Sequence, residues 1–318
     1  MRTAEVLRVA HECGFELAGI APAGPLADFA RYRDWLDHGF AGQMRYLTDR
    51  RAEVRCDVRQ LLATARSVLS VGKLYHTGYE PRAGARISRY AAGRDYHQVL
   101  REGLERVVAR LLQQEPFDYK ICVDTAPLLE RSLAREAGLG WIGRNTCLIN
   151  EPLGSWFFLG EVVTSLDLEA GTPPPDRCGA CTRCIDACPT QALLPQGNGW
   201  TLDARRCISY LSIELRGPIP QEFQAGIGDH VFGCDICQEV CPWNARAPVT
   251  SEPAFAAAPA RSWSELAALS EAAFEEQFGP TPVERARYAG FMRNVALVNN
   301  VANEEAAATP PPEPPTLR

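Results

Sequence analysis

Apolar positions follow two different periods along the first half of this chain, and the places where the period changes mark its elements. Val6, Leu7 and Val9 lead into a turn at Cys13-Gly14-Phe15 and an apolar run Leu17-Ala-Gly-Ile20, which predicts a helix feeding a strand within residues 1–20. Phe29, Tyr32, Trp35 and Leu36 share one face of a helix expected over 29–47. Ser67-Val-Leu-Ser-Val-Gly72 is short, apolar and β-rich, as suits a buried strand. Val99, Leu100, Leu104, Val107, Val108 and Leu111 recur at helical spacing and give the clearest helix, 96–114. Tyr119-Lys-Ile-Cys-Val123 reads as a strand ending at Asp124. A helix is expected from Ala126 to Ala137, stopped by Gly138-Leu-Gly140, and Phe157–Thr164 as a further strand.

Strands alternating with helices through residue 165 imply an α/β layer domain, taken as residues 1–168. Pro173-Pro-Pro175 marks a linker into a cysteine-rich stretch over 169–250, expected to be small helices and loops around metal. Helical pattern returns over 251–303, with Arg293-Asn-Val-Ala-Leu-Val298 near its end. The proline-rich residues 304–318 are expected to be disordered.

Composition narrows the class. The chain has 318 residues, 46% hydrophobic and 23% charged, as in an ordinary globular protein with room for two or three domains. It contains no apolar run long enough to span a membrane, and its first residues lack the charged start, apolar stretch and cleavage site of a secretion signal. A cytoplasmic, monomeric protein is therefore expected. A net charge of −6 argues against a general electrostatic grip on nucleic acid, so any RNA partner would need a local basic patch. Only Lys73 and Lys120 are lysines, leaving 31 of 33 basic residues as arginine, a bias that genome composition explains as well as phosphate binding does.

The cysteines carry the chemistry. Cys178-x2-Cys181-x2-Cys184-x3-Cys188-Pro189 has the spacing of a two-cluster bacterial ferredoxin, in which the fourth cysteine ligates the neighbouring cube. Cys234-x2-Cys237-x3-Cys241-Pro242 repeats the pattern one ligand short, and Cys207 lies where it can supply the eighth thiolate. The crossing-over cysteine precedes proline in each run. Cys178, Cys181, Cys184 and Cys241 are therefore assigned to one [4Fe–4S] cluster and Cys188, Cys207, Cys234 and Cys237 to the other. Zinc usually prefers two C-x2-C pairs with a longer span between them, which this spacing does not match. Cys13, Cys56, Cys122 and Cys147 have no ligand spacing and read as small structural hydrophobes.

Longer motifs then give a resemblance. Ile87-Ser-Arg-Tyr-Ala-Ala-Gly-Arg-Asp-Tyr-His97, Val123-Asp-Thr-Ala-Pro-Leu-Leu-Glu-Arg131, Ala137-Gly-Leu-Gly-Trp-Ile-Gly-Arg-Asn-Thr146, Leu202–Leu215 and Gly233–Asn244 resemble the epoxyqueuosine reductases, in collinear order from about residue 5 to residue 300. The resemblance implies an N-terminal α/β cobalamin-binding domain, a ferredoxin-like domain with two [4Fe–4S] clusters, and a short C-terminal helical segment like a truncated HEAT repeat. It also implies the reaction: removal of the epoxide oxygen from epoxyqueuosine at the wobble position of tRNA with a GUN anticodon, using electrons from an external donor. Many members continue into helical repeats that grip the anticodon stem. The tRNA contact here is then expected to rest on a smaller surface, or on Arg82, Arg86, Arg89, Arg94, Arg101 and Arg106, which outnumber Asp95, Glu102 and Glu105 in their segment.

Residue roles follow from the same resemblance. Asp124 matches the family's proton donor, and a desolvating corrin above it would raise its pKa; as a bare residue it equally suits the N-cap of the helix expected at Ala126–Ala137. Tyr96 and His97 are candidate cobalamin contacts, although an isolated histidine is more often structural. The Asp-x-His-x-x-Gly pattern of a lower cobalt ligand is absent, so a base-off cofactor is expected. Arg144, Asn145, Thr146 and Ser209 are candidate donors to the corrin, Asp235 a candidate between cluster and corrin, and Arg205, Arg206 and Arg216 candidates for tRNA phosphates. Two other readings remain: a corrinoid reductase like the reductive dehalogenases, and an electron carrier that reduces a corrinoid partner. The second needs no cobalamin and no role for Asp124.

Overall fold

The computed structural model describes residues 1–79, 85–197, 199–257 and 263–308. Its N-terminal part is built on a four-stranded sheet of Leu17–Pro22, Ser67–Leu74, Phe157–Thr164 and Tyr119–Cys122, in that spatial order. Strands do alternate with helices along the chain, but every pairing in this sheet is antiparallel. Side-chain alternation on the two central strands separates two cores. Leu69, Val71, Phe158 and Val162 meet Val6 and Val9 of helix Thr3–Glu12 and Leu100, Leu104 and Val107 of helix Tyr96–Leu112. Val68, Leu74, Phe157 and Val163 face the other way, onto Leu133 and Ala134 of helix Glu130–Glu136. Gly19 permits that second contact, since a Cβ there would collide with the Ala137 carbonyl.

Two expected helices are shorter than their pattern suggested. The 29–47 segment breaks into Phe29–Asp37 and Arg45–Thr48, because Gly39 and Gly42 turn the chain at φ 68° and 56°. The helix expected from Ala126 starts only at Glu130. Pro127 disfavours helical geometry at Ala126, and Asp124 is already turned to φ 54°.

The cysteine-rich part folds as a hairpin, Leu193–Gln196 with Gly199–Leu202, and short helices. Helices Arg183–Asp186 and Ile236–Glu239 each carry one cysteine, Cys184 and Cys237. Its core is continuous with the C-terminal helices: Ile208, Leu211, Ile227 and Phe232 pack with Phe274, Phe278, Phe291, Val295 and Val298. The C-terminal segment is thus a lid on this core rather than a layer of its own. Its last helix, Arg287–Ala308, runs past the expected start of the tail at Glu304, and residues 309–318 lie outside the described residues. Among the described residues no helix is long and apolar enough to cross a membrane.

Candidate active site

Asp124 leaves the end of strand Tyr119–Cys122 in a tight turn. It is the middle residue of a three-residue loop closed by Thr125 N–H donating to the Val123 carbonyl at 2.5 Å, with φ 54° at Asp124 itself. That conformation is uncommon for a non-glycine residue and is tolerated best by Asp and Asn. The N-cap alternative does not hold, because Leu129 occupies the cap position of helix Glu130–Glu136. Instead the Asp124 N–H donates to Glu130 Oε1 at 2.6 Å.

The carboxylate of Asp124 is 55% exposed, because it opens onto a cavity. Its Oδ2 accepts from the Tyr96 hydroxyl at 3.1 Å and from His97 Nε2 at 3.1 Å, while no hydrogen bond is made by Oδ1 among the described residues. The other ring nitrogen of His97 faces Asp95 Oδ1 at 2.6 Å. Asp95 is the N-cap of helix Tyr96–Leu112, its side chain accepting the His97 N–H at 3.0 Å, so one oxygen both starts the helix and orients the imidazole. Tyr96 is fixed by stacking on Phe158 at 4.2 Å between ring centres.

Burial opposes charge on His97, yet the Asp124 and Asp95 carboxylates push it up to about 9. Burial also works to raise Asp124, but the His97 hydrogen bond and charge, with the Tyr96 hydroxyl, hold it below its ordinary value. The protein groups around Asp124 thus favour its ionised form. At neutral pH the proton of the pair resides on His97.

Three cavities meet around these residues. The largest, about 970 Å³, is lined by Asp95, Tyr96, His97, Asp124, Ser209, Tyr210 and the arginines Arg51, Arg55, Arg101 and Arg285. A second of about 430 Å³ shares Tyr90 and Tyr96 with it and reaches Cys147 and Gln238. A third of about 400 Å³ shares Asp124 and Arg55 with the first, and extends to Arg131 and Thr146. Together they exceed the roughly 300–1,000 Å³ of an ordinary small-ligand cleft.

The eight thiols fall into two neighbourhoods. Burial pushes Cys184 up to about 11, and Cys178, Cys241 and Cys181 add to the rise. Burial likewise raises Cys234, with Cys207 and Cys188 acting on it, and Cys237 feels Cys234 and Cys207 after its hydrogen bond with Cys147 and its own burial. Cys147 is thus more than the core filler its lack of spacing suggested: it touches Cys237 and lines the second cavity.

Other sequence candidates are engaged elsewhere. Asp235 is 5% exposed and is taken up by Ser88 Oγ at 2.5 Å and Arg89 N at 2.8 Å, lining none of the three cavities. Arg144 Nη2 donates to the Gly179 carbonyl, and Asn145 Nδ2 to the Cys237 carbonyl at 3.3 Å, so both brace the cysteine loops. Thr146 and Ser209 do reach cavities. Arg216 donates to the carbonyls of Ile213, Arg285 and Ala286, which makes it a structural tie. Arg205 is paired with Asp203 at 2.8 Å and Arg206 with the Thr190 carbonyl at 3.1 Å. In the arginine-rich segment, Arg86, Arg89 and Arg94 are paired with acidic residues, Arg101 lines the main cavity, and Arg82 lies outside the described residues. Sequence reading missed Asp95, Glu130 and Glu161. The lone charge in Phe157-Phe-Leu-Gly-Glu-Val-Val-Thr164 was the available signal for Glu161.

Two family models match the chain: "4Fe-4S double cluster binding domain" over residues 177–244 and "Epoxyqueuosine reductase QueG, DUF1730" over residues 55–125. An epoxyqueuosine reductase of Xanthomonas campestris pv. campestris is 42% identical over 92% of this chain and 85% of its own length. The chain belongs to the epoxyqueuosine reductase family. The Gloeobacter violaceus member is 43% identical over 96% of this chain and 98% of its own. Among solved structures, an epoxyqueuosine reductase crystallised with an epoxyqueuosine-modified tRNA-Tyr stem loop superimposes with a TM-score of 0.85 at 30% identity, covering 96% of this chain and 82% of that one. A Bacillus subtilis epoxyqueuosine reductase, solved with its catalytic aspartate loop swung out of the active site, gives 0.83 at 28% identity over the same shares.

Proposed function

We propose that this chain reduces epoxyqueuosine to queuosine in tRNA, with the Asp95–His97–Asp124 series supplying protons to the leaving oxygen. Removal of the epoxide oxygen as water takes two electrons and two protons. The observation that carries the reading is Asp124, which lines two of the three cavities with one carboxylate oxygen bonded to Tyr96 and His97 and the other left for the cavity. Asp124, ionised at rest, delivers a proton to the oxygen as it departs, acting as general acid once it has taken that proton from His97. His97 Nε2 passes that proton to Asp124 across 3.1 Å, Asp95 stabilises the imidazolium until it is spent, and the second proton reaches His97 from solvent.

The joined cavities suit a large flat cofactor. Their walls combine aromatic faces (Tyr75, Tyr90, Tyr96, Phe158) with polar Ser209, Thr146 and Arg131, which fits cobalamin as the group the family implies. Bound cobalamin would supply the cobalt chemistry of C–O cleavage, fed one electron at a time. Cys178, Cys181, Cys184 and Cys241 would hold one [4Fe–4S] cluster and Cys188, Cys207, Cys234 and Cys237 the other, the second bordering the cavities through Cys147. Arg101 at the main cavity is better placed for the anticodon phosphates than Arg205, Arg206 or Arg216, or than its neighbours Arg51, Arg55 and Arg285, which are taken up by Asp49, by the Arg51 and Tyr46 carbonyls, and by Glu214. Protein reconstituted anaerobically with both cofactors should convert epoxyqueuosine in an anticodon stem loop under a strong reductant. Absence of turnover, or of bound cobalamin, would overturn the assignment in favour of an electron carrier.

A further inference from the structure

Strand Phe157–Thr164 carries one charged residue, Glu161, in its buried length. That side chain is 0% exposed, and neither of its carboxyl oxygens has a hydrogen-bond partner of ordinary geometry. An ionised carboxylate so placed would be severely destabilising. Glu130, at the first position of the facing helix, lies close enough for the two carboxyls to act on each other, and its Oε1 receives the Asp124 N–H. The Asp124 turn is in an unfavourable backbone conformation, and such turns persist only where their surroundings over-determine them.

We propose that Glu161 and Glu130 form a carboxyl pair holding one proton, whose remaining charge latches the Asp124 turn in its active position. Glu161 stays neutral and donates to Glu130; Glu130 keeps a negative charge for the Asp124 peptide N–H. Both are positioning residues, and their role in turnover rests on the function proposed above. The charges on the pair agree with this order. Burial drives Glu161 well above the carboxylate range, whereas Glu130 is pushed by burial, then by the charge of Asp124, only to about 7, with the Asp124 N–H and Glu161 both favouring its ionised form. The other titratable groups facing the pair are Arg131 on the same helix, Cys122 on the neighbouring strand with Lys120 and Arg101 near its thiol, and His97 and Tyr96 beyond Asp124. Below about pH 7 Glu130 becomes neutral and the latch weakens. The swung-out aspartate loop of the Bacillus subtilis relative is an instance of such a loop leaving its site.

Amide exchange at Asp124 in the full chain, without cofactors, reads the latch independently of turnover. Glu130→Ala should speed that exchange on the order of tenfold, and Glu130→Gln, which keeps an acceptor oxygen but loses the charge, by a smaller factor of a few-fold. In reconstituted enzyme Glu130→Ala should lower kcat by a similar factor with KM little changed, and Glu130→Gln should recover only part of it. The acid limb of the pH–rate profile, near 7 in wild type, should vanish in Glu130→Gln and move upward in Glu161→Leu, where the donor to Glu130 is gone. Asp124 exchange in Glu130→Gln as slow as in wild type, or unchanged Asp124 exchange in Glu130→Ala, would overturn the latch. Freed exchange in Glu130→Ala together with a wild-type enzyme that never turns over would instead sink the function and leave the latch standing.

Discussion

Replacing Asp95 by asparagine isolates one of the two charges that keep a proton on His97. Together they lift His97 from 6.5 to about 9 against an opposing burial effect, with Asp124 the stronger and Asp95 the second. Assigning Asp95 somewhat under half of the rise gives about one pKa unit, or ~1.4 kcal/mol. The His97 side chain is 32% exposed, so screening by solvent brings this toward ~1 kcal/mol. Asparagine caps a helix nearly as well as aspartate, so Tyr96–Leu112 should remain intact. A proton NMR titration of the His97 ring should then show its midpoint falling by about one unit, and the alkaline limb of turnover should fall with it. The stability consequence has a fixed sign. A raised histidine contributes fully below its unfolded pKa of 6.5, and the contribution disappears as pH rises through about 9. Wild type should therefore exceed Asp95→Asn in thermal stability most at pH 6, and the gap should close in strongly alkaline buffer. A midpoint that does not move would refute the assignment of the proton to this pair of carboxylates.

Asp124→Asn accepts the same φ of 54° and should fold normally while losing on the order of 10²–10⁴-fold in turnover, measured under single-turnover conditions. Cys207→Ser should lose roughly half the iron and labile sulfide of reconstituted protein, because one cluster loses a ligand and the other does not. Arg216→Ala should cost roughly 1–3 kcal/mol of stability in denaturant titrations, by freeing the Ile213, Arg285 and Ala286 carbonyls, without altering stem-loop affinity. Arg101→Ala should do the reverse, weakening stem-loop binding and reducing its salt slope by about one.

What sequence could disclose here was whatever is local. The helix Tyr96–Leu112 and the strands Ser67–Leu74 and Phe157–Thr164 are written in side-chain period, and the cysteine spacing needed no fold to be read. Asp124 was legible through the motif around it, though its partners were only half so: His97 was visible as a candidate, but the reversal of charge between the two depends on Asp95 and Tyr96 converging in space. The arginines failed for the same reason. Arg89 and Arg216 look like phosphate binders until Asp235, from a distant segment, and the carbonyls of 285–286 take up their donors. Arg285 reaches the cavity from a helical region that offered no motif, and there it too is paired, with Glu214. Antiparallel pairing was also invisible, since alternation of strand and helix does not state which strands become neighbours.

Glu161 has a consequence for how the chain folds. In the unfolded chain at neutral pH this carboxyl is ionised, whereas in the folded chain burial favours its neutral form. Assembly of the sheet around Phe157–Thr164, paired on both sides by Ser67–Leu74 and Tyr119–Cys122, therefore draws a proton from the solvent. Stability from this residue is greatest in mild acid and declines as pH rises above the ordinary glutamate range, opposite in direction to a salt-bridged carboxylate. Folding of the central sheet is thus itself a protonation reaction, and its equilibrium is coupled to the buffer before any cofactor or tRNA arrives.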